Sequence, residues 1–262
     1  CDELVYNNCT IKGKLTLYGK ATFINCTFEN EMANQYSIWT WGGTDVRFED
    51  CTFNTNGKAI LLYGQATAEK PTNLTVSNCT FNDRNNGSAG KAAIEIGNDY
   101  NATYSLTVTS ATVNGFADGK NTGSKIWANK NSMDAEHLTV IIDGKLASKA
   151  SSTTLQNIIS SKPESPVEIT LAENETVELE NVDVEGYILY KKDTDDSSKT
   201  YQLMKNEGNV EVSLQELQNL KITKEPKAAD AQPTTFTVDL AGQKIEAGNI
   251  AYSENSSGYT GK

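Results

Sequence analysis

The sequence predicts an all-β solenoid, in which short parallel strands stack in successive turns of a coil. The first observation behind this prediction is a phrase, Asn/Asp-Cys-Thr-Phe, that recurs through the first half of the chain. Three full copies, a variant and a degenerate copy are present: Asn25-Cys26-Thr27-Phe28, Asp50-Cys51-Thr52-Phe53, Asn78-Cys79-Thr80-Phe81, Asn8-Cys9-Thr10-Ile11 and Ser110-Ala111-Thr112-Val113-Asn114. Self-similarity with a period of this size is typical of solenoids.

The second observation is that the copies follow short runs of alternating polar and apolar residues. Period-two alternation rich in Val, Ile, Thr and Phe favours β-strands. The runs are Lys14-Leu15-Thr16-Leu17, Ala21-Thr22-Phe23-Ile24, Asp45-Val46-Arg47-Phe48, Asn73-Leu74-Thr75-Val76 and Ser105-Leu106-Thr107-Val108. Successive copies are 17, 25, 28 and 32 residues apart. An irregular spacing of this kind indicates fixed strands with insertions in the turns.

The third observation is the Asn or Asp that stands before each Cys. These residues tolerate left-handed backbone conformations, which suit a sharp corner, and stacked corners predict a ladder of side chains. Over roughly residues 5–145 the pattern resembles the right-handed parallel β-helix, the pectate-lyase-like family. The resemblance is specific for the fold and implies little about activity, because one fold hosts many functions.

The repeated cysteines favour a structural role. Cys9, Cys26, Cys51 and Cys79 take the same place in successive turns, about 4.8 Å apart, with parallel side chains that suit bridging poorly. We expect a column of free, buried thiols. The alternative, a zinc site, lacks Cys-x-x-Cys pairs and tetrahedral geometry.

A second set of strands follows the corners, each opened by an isoleucine: Ile38, Ile60, Ile94 and Ile126. If this isoleucine column points inward, alternation directs Trp39, Leu61, Glu95 and Trp127 outward, beside Trp41 and Tyr63. We therefore predict a ligand-binding platform formed by Trp39, Trp41, Tyr63 and Trp127. The alternative is that the loop 65–72 or the C-terminal domain packs over these side chains.

Around residue 145 the repeat ends, and residues 146–262 are predicted to form a smaller, mostly-β domain with short helices, or the start of a second β-helix unit. Ser/Thr caps and Pro163 and Pro166 bound a helix at 151–159. A second helix and three strands are expected at 213–220, 167–171, 175–179 and 235–240.

Composition excludes several classes of protein. The 262 residues carry a net charge of −11, and this acidity argues against binding nucleic acid or a polybasic membrane anchor. No apolar stretch is long enough for a transmembrane helix, and no signal peptide is visible. Cys1 is interpreted as a processing boundary, with lipidation of Cys1 as the alternative.

No catalytic residue, metal site or cofactor is predicted. The carboxylates considered are Asp45, Glu49, Asp50 and Glu95, but the Gly-His-Gly and Arg-Ile-Lys signatures of hydrolases with this fold are absent. The single histidine, His137, is expected to be an exposed turn residue. The acidic run Asp193, Asp195 and Asp196 is interpreted as a hairpin tip, with calcium binding as the alternative.

These observations predict a secreted or cell-surface bacterial binding protein, similar to adhesins, with a glycan or a surface protein as its partner. A polysaccharide lyase or glycoside hydrolase is the first alternative, and a structural spacer is the second. The sequence leaves the oligomeric state open.

Overall fold

The structure, a computed structural model, describes residues 3–65, 70–97, 99, 101–172, 175–177, 186–191, 199–205, 221–222, 234–240, 243–250, 252–255 and 258–261. Contacts between residues separate the chain into two units. The first contains Cys1–Asp143 and Ala147–Lys149, and the second contains Gly144–Leu146 and Ala150–Lys262. The division into domains 1–145 and 146–262 stays a prediction.

In the first unit, parallel strands form three sheets. The first sheet holds β1 (Leu4–Asn7), β4 (Lys20–Ile24), β7 (Asp45–Glu49), β10 (Thr72–Ser77), β13 (Tyr104–Thr109) and β16 (Leu138–Ile142). The second holds β2 (Thr10–Lys12), β5 (Thr27–Glu29), β8 (Thr52–Thr55), β11 (Thr80–Asp83) and β14 (Thr112–Asn114). The third holds β3 (Leu15–Leu17), β6 (Ile38–Thr40), β9 (Ile60–Leu62), β12 (Ile94–Ile96) and β15 (Trp127–Asn129).

Each turn of the coil takes one strand from each sheet, and each strand pairs with its equivalent one turn away. The register repeats without a shift, for example Phe23 with Phe48 and Phe28 with Phe53. The predicted parallel solenoid is therefore confirmed.

The corner between the first and second sheets is two residues long in every turn. Its first residue has a positive φ of 50° to 55°, and the residues concerned are Asn8, Asn25, Asp50, Asn78 and Ser110. The other two corners vary in length. The connection from the second to the third sheet grows from residues 13–14 in the first turn to residues 115–126 in the fifth.

Two ladders of polar side chains run along the coil. The predicted corner ladder is present, because the side-chain amide of Asn25 donates to Asn8 and that of Asn78 donates to Asp50. A second ladder on the outer side of the second sheet was not predicted. There Asn114 donates to Asn82 at 2.9 Å, Asn82 to Asn54 at 2.9 Å, and Asn54 to the Glu29 carboxylate at 2.6 Å.

Stacked aromatic rings fill the core of the coil. The ring of Phe53 lies parallel to those of Phe28 and Phe81, with centroids 4.5 Å and 4.7 Å away. Cys26, Cys51 and Cys79 lie beside them, buried and free, as predicted, while Cys9 in the first turn is half-buried.

The third sheet begins one turn earlier than the sequence indicated. The alternation predicts that Lys14–Leu17 belongs with the strands that precede the cysteines, but Leu15 pairs with Ile38 and Thr16 with Trp39. Only two residues separate β2 from β3, whereas longer connections precede the other strands of the third sheet. The sequence therefore lacks the long turn that would have indicated that β3 belongs to the third sheet.

The second unit contains α1 (Ser152–Ser160) and nine described strands: β17 (Lys145–Leu146), β18 (Val167–Leu171), β19 (Tyr187–Lys191), β20 (Lys199–Lys205), β21 (Lys221–Ile222), β22 (Thr234–Leu240), β23 (Gln243–Ile250), β24 (Tyr252–Asn255) and β25 (Gly258–Gly261). The predicted first helix is confirmed, with Ser151 as its N-cap, accepting from Thr154 N at 3.0 Å.

Most pairing in the described part of the second unit is antiparallel, as in β18–β20, β19–β20 and β22–β23. Hairpin pairing of this kind is not the parallel stacking that a second β-helix would show. The strand predicted at 175–179 is wrong for its described residues 175–177. These three residues are not in a strand, and Glu175 N donates to Ala172 O at 2.9 Å. The helix predicted at 213–220 lies outside the described residues.

Candidate functional site

Five aromatic side chains lie in a continuous row on the third sheet and the loop before it. We call this row the aromatic strip: Tyr18, Tyr36, Trp39, Trp41 and Tyr63. Three of the four residues predicted for the platform, Trp39, Trp41 and Tyr63, belong to it, and both tryptophans contact Tyr63.

The register of the third sheet builds the most exposed part of the strip. Leu17 pairs with Thr40, so Tyr18, Trp41 and Tyr63 follow one another in neighbouring turns. The centroids of Tyr18 and Trp41 are 6.1 Å apart, and those of Trp41 and Tyr63 are 5.1 Å apart. Tyr18 is 65% exposed, and the other two rings are half-buried.

A buried threonine fixes the position of Tyr63. The Thr40 hydroxyl accepts from Tyr63 N at 2.9 Å and donates to Tyr63 O at 3.3 Å. Trp41 is held by its own backbone, whose N–H donates to Leu17 O at 3.0 Å. These hydrogen bonds fix the backbone from which the rings of Trp41 and Tyr63 project.

The inner part of the strip is covered by the loop between β5 and β6. Tyr36, from this loop, packs edge-on against Trp39 with centroids 6.5 Å apart. Asn30 closes the loop, because its side-chain amide donates to Gln35 O at 3.1 Å and its carbonyl accepts from Met32 N at 3.1 Å. The predicted outer column is thus partly covered, and Leu61 is only 2% exposed.

Two lysines lie against these rings. The Lys14 Nζ is 5.1 Å from the centroid of Trp39, and the Lys58 Nζ is 5.3 Å from that of Tyr36. Both distances are within the range of cation–π attraction.

Glu95, in the outer column of β12, is a carboxyl residue that is only 2% exposed. Its carboxylate lies 3.9 Å from the Lys91 Nζ and accepts from Ala92 N at 3.3 Å. Burial, with a smaller contribution from the Glu95 charge, raises the pKa of Tyr36. Burial and the Lys91 charge lower the pKa of Lys130, and the Glu95 charge opposes this effect.

Trp127 does not belong to the strip, and its expected outward direction is wrong. It pairs with Ile94, one position away from the predicted pairing through Ile126, and so points inward. Trp127 is 6% exposed and lies in the hydrophobic core, while Ile126 is half-buried. Ile126 and Trp127 are both apolar, so the sequence does not determine which of them points inward. The physical reason for the observed arrangement is that the larger ring of Trp127 fills the interior of the last complete turn.

Tyr18 and Tyr36 were missed by the sequence analysis. Tyr18 follows Leu17 as Trp41 follows Thr40, so the two rings take equivalent positions in neighbouring turns. An alignment of Leu15–Leu17 with the strands of the third sheet would have predicted this position for Tyr18. Tyr36 lies in an irregular loop, where no periodicity predicts a side chain's direction.

The four carboxylates considered for catalysis are distributed over one strand of the first sheet, the corner that follows it and the third sheet. Asp45 and Glu49 are on β7 of the first sheet, and Glu49 pairs with Arg47 at 3.2 Å. Asp50 occupies a corner, and Glu95 is on the third sheet. These four therefore do not supply the facing pair of acids that glycoside hydrolysis requires.

His137 lies in a turn before β16, as predicted, with 33% of its side chain exposed. Its Nδ1 is 2.7 Å from Asp134 Oδ1, and this hydrogen bond lowers the pKa of Asp134. Among the described residues, no group of three His, Cys, Asp or Glu side chains could hold a metal ion. The acidic run Asp193, Asp195 and Asp196 lies outside them.

Comparisons with known proteins agree with this fold. The model of the family described as "Right handed beta helix region" matches residues 2–139. An exopolygalacturonase from Platanus acerifolia is 32% identical over 87 residues, which cover 29% of this chain and 23% of the relative. The match thus spans about a quarter of the relative's length. No solved structure matches. No described helix has the length and apolar character to cross a membrane. Since the family model covers more than half of its residues, the chain belongs to the right-handed β-helix family.

Proposed function

We propose that the coil is a carbohydrate-binding domain that holds sugar chains on the aromatic strip. The single observation that carries this proposal is the row formed by Tyr18, Trp41 and Tyr63 in consecutive turns. Rings of this kind present flat apolar faces with polar rims, and they are favoured anchors at binding surfaces. Exposed aromatic patches on proteins commonly mark a contact surface.

The direction of the row suits a linear ligand. Neighbouring turns are about 4.8 Å apart, so the three rings extend over roughly 10 Å along the coil axis. An extended saccharide can therefore lie along the axis and contact a ring at each turn. A rigid frame of parallel strands supports the site, as in many proteins whose ligands bind on a preformed surface.

The proposal includes a role outside the cell, as a secreted or cell-surface, adhesin-like bacterial protein. The support is the aromatic surface, for which an extracellular polysaccharide or a surface glycoprotein would be a ligand. Fractionation of the native cells, followed by detection of the chain in the medium or on the surface, tests this part.

The direct test is calorimetric titration of the full chain with a panel of neutral and acidic polysaccharides. The variant combines Trp41→Ala with Tyr63→Ala, and the matched control is Val5→Ala, an exposed apolar residue of the first sheet at 62% exposure. We expect at least one glycan to bind wild type and the control alike, and to lose about tenfold or more in affinity for the variant. Equal affinities for all three proteins would overturn the proposal.

A second candidate function is cleavage of a polysaccharide. The observation that favours it is the similarity to an exopolygalacturonase over 87 residues. Release of reducing ends or unsaturated products from the same glycan panel would support an enzyme. Binding without product release would support the binding domain, and silence on every glycan would favour a protein partner or a structural spacer.

A further inference from the structure

A cavity of about 540 Å³ lies in the first unit, where the third sheet ends at β15. Its volume falls within the range of about 300–1,000 Å³ that is typical of small-molecule sites. None of the five rings of the aromatic strip is among the residues that line it. The cavity is therefore a concave feature of the coil that the proposed function does not use.

The floor of this cavity is apolar. Trp127 and Leu138, which are 6% and 2% exposed, line it together with the buried Met133. Ile126 and Ile142 also line it and are only half-buried. Half-buried aliphatic side chains keep apolar surface in contact with water, and a ligand that covers this surface gains from its burial. The floor therefore favours an apolar group.

Hydrogen bonds hold the walls of the cavity in place. The Thr122 hydroxyl donates to Trp127 O at 2.6 Å. The side chain of Asn129 donates to Met133 O and accepts from Met133 N, both at 2.9 Å. On the opposite wall the Ser148 hydroxyl accepts from a backbone N–H of β16 at 2.9 Å. The cavity is thus preformed, which reduces the entropic cost of binding a ligand.

The rim carries one residue of each charge. Asp134 and Lys149 both line the cavity and are both exposed. Asp134 Oδ1 accepts from His137 Nδ1 at 2.7 Å and from Glu136 N at 3.1 Å. These bonds orient the carboxylate through one of its oxygens, so Oδ2 is available to a ligand. Lys149 follows Ser148, which is bound to β16. A ligand with one ammonium and one carboxylate group would find a partner of opposite charge for each.

We propose that this cavity binds a small apolar zwitterion of the size of a dipeptide, with its side chains on Trp127 and Leu138, its ammonium group at Asp134 and its carboxylate at Lys149. The floor supplies the apolar contact, and the two charges select a ligand whose ends are both free. The hydroxyl of Ser124, another lining residue, is near enough to the rim to serve a peptide group. This site is independent of the aromatic strip.

The test is calorimetric titration of the full chain with leucyl-phenylalanine and three related probes. The N-acetylated dipeptide lacks the ammonium group, the C-terminal amide lacks the carboxylate, and glycyl-glycine lacks the apolar side chains. The variants are Asp134→Asn and Lys149→Met. Their matched controls are Asp118→Asn and Lys120→Met, two exposed residues of the preceding loop that do not line the cavity.

We expect wild type to bind leucyl-phenylalanine about tenfold more tightly than each of the other probes. Asp134→Asn should lose the preference over the acetylated form, and Lys149→Met should lose the preference over the amide. Both controls should keep the two preferences. Absence of binding to wild type, or preferences that both variants retain, would overturn the proposal.

A fluorescence titration places the ligand. The chain contains three tryptophans, so a variant with Trp39→Phe and Trp41→Phe keeps Trp127 as its single indole. Saturation with leucyl-phenylalanine should shift or quench the emission of this variant, whereas glycyl-glycine at the same concentration should not. Unchanged emission at a concentration that saturates the calorimetric signal would show that the dipeptide binds elsewhere, and would overturn the site.

Discussion

The indole ring of Trp41 stacks on the phenol ring of Tyr63, with centroids 5.1 Å apart and 23° between the ring planes. Aromatic pairs in this geometry contribute about 0.5–1.5 kcal/mol beyond the area that they bury. A double-mutant cycle with Trp41→Leu and Tyr63→Leu, measured by urea denaturation, should therefore give a coupling energy in this range. The pair Tyr18→Leu and Tyr36→Leu, two rings with no mutual contact among those described, is the control and should be additive. Additive losses at Trp41 and Tyr63 would contradict the stacking.

Phe53 lies at the centre of the stacked core, fully buried between Phe28 and Phe81. Phe53→Ala should lower the free energy of unfolding by about 3–5 kcal/mol, because it removes the ring and leaves a cavity that neighbouring turns cannot fill. Val5→Ala, at a site 62% exposed, should change it by less than about 0.5 kcal/mol. A loss at Phe53 as small as that at Val5 would be inconsistent with a close-packed coil.

Asn82 both donates and accepts in the ladder on the second sheet, with each hydrogen bond at 2.9 Å. Asn82→Leu removes both bonds, and because water can reach the two partners, each loss should cost about 0.5–1.5 kcal/mol. Asn114→Leu, at the exposed end of this ladder, removes only the bond to Asn82 from the ladder and should cost less. Thermal unfolding followed by circular dichroism measures both, and the reverse order would argue against the ladder.

Burial raises the pKa of the Cys26 thiol, and the side-chain hydrogen bond with Cys79, together with burial, raises the pKa of Cys51. The reactive thiolate is therefore scarce at Cys26 and Cys51, and burial keeps reagents away from these two thiols and from that of Cys79. In a Cys1→Ser background we expect Cys26, Cys51 and Cys79 to react with a disulfide reagent only as fast as the protein unfolds. Cys9, half-buried in the first turn, should react sooner. Rapid loss of four thiols from the native protein would contradict this arrangement.

Burial holds the pKa of Tyr36 above its ordinary value of 10.0. The folded protein keeps this proton where the unfolded chain loses it. The contribution of Tyr36 to stability is therefore complete below about pH 10 and declines as the pH rises further. Urea denaturation at several alkaline pH values should show a steeper decline for wild type than for Tyr36→Phe. Parallel curves for the two proteins would show that Tyr36 is not buried as described.

The repeated corner could be predicted from sequence because its chemistry is local. A left-handed backbone position favours Asn or Asp, and the Cys and Phe that follow it point inward at fixed offsets. Each copy of the Asn/Asp-Cys-Thr-Phe phrase therefore predicts the same corner geometry. The five corners with φ near 50° confirm this. Residues such as Tyr36 could not be predicted, because a loop's path depends on contacts that are distant in sequence.

The error at Trp127 has a different origin. Ile126 and Trp127 are both apolar, and a shift of one residue in a strand exchanges its inner and outer faces. No corner residue of the repeated type stands next to this strand in the sequence, so the sequence does not determine which side chains point inward. Packing sets it instead, since the interior at the level of Ile94 accommodates the indole ring.

The contrast between one constant corner and two variable ones has a consequence for how such a protein can be altered. Strand pairing holds the same register whether the connection to the third sheet is residues 13–14 or residues 115–126. Doubling the length of a flexible connection costs only about 0.6 kcal/mol in closure entropy. Foreign segments can therefore be grafted at the variable corners. The coil is then a display scaffold, in which the grafted recognition loops can be exchanged while the paired strands stay unchanged.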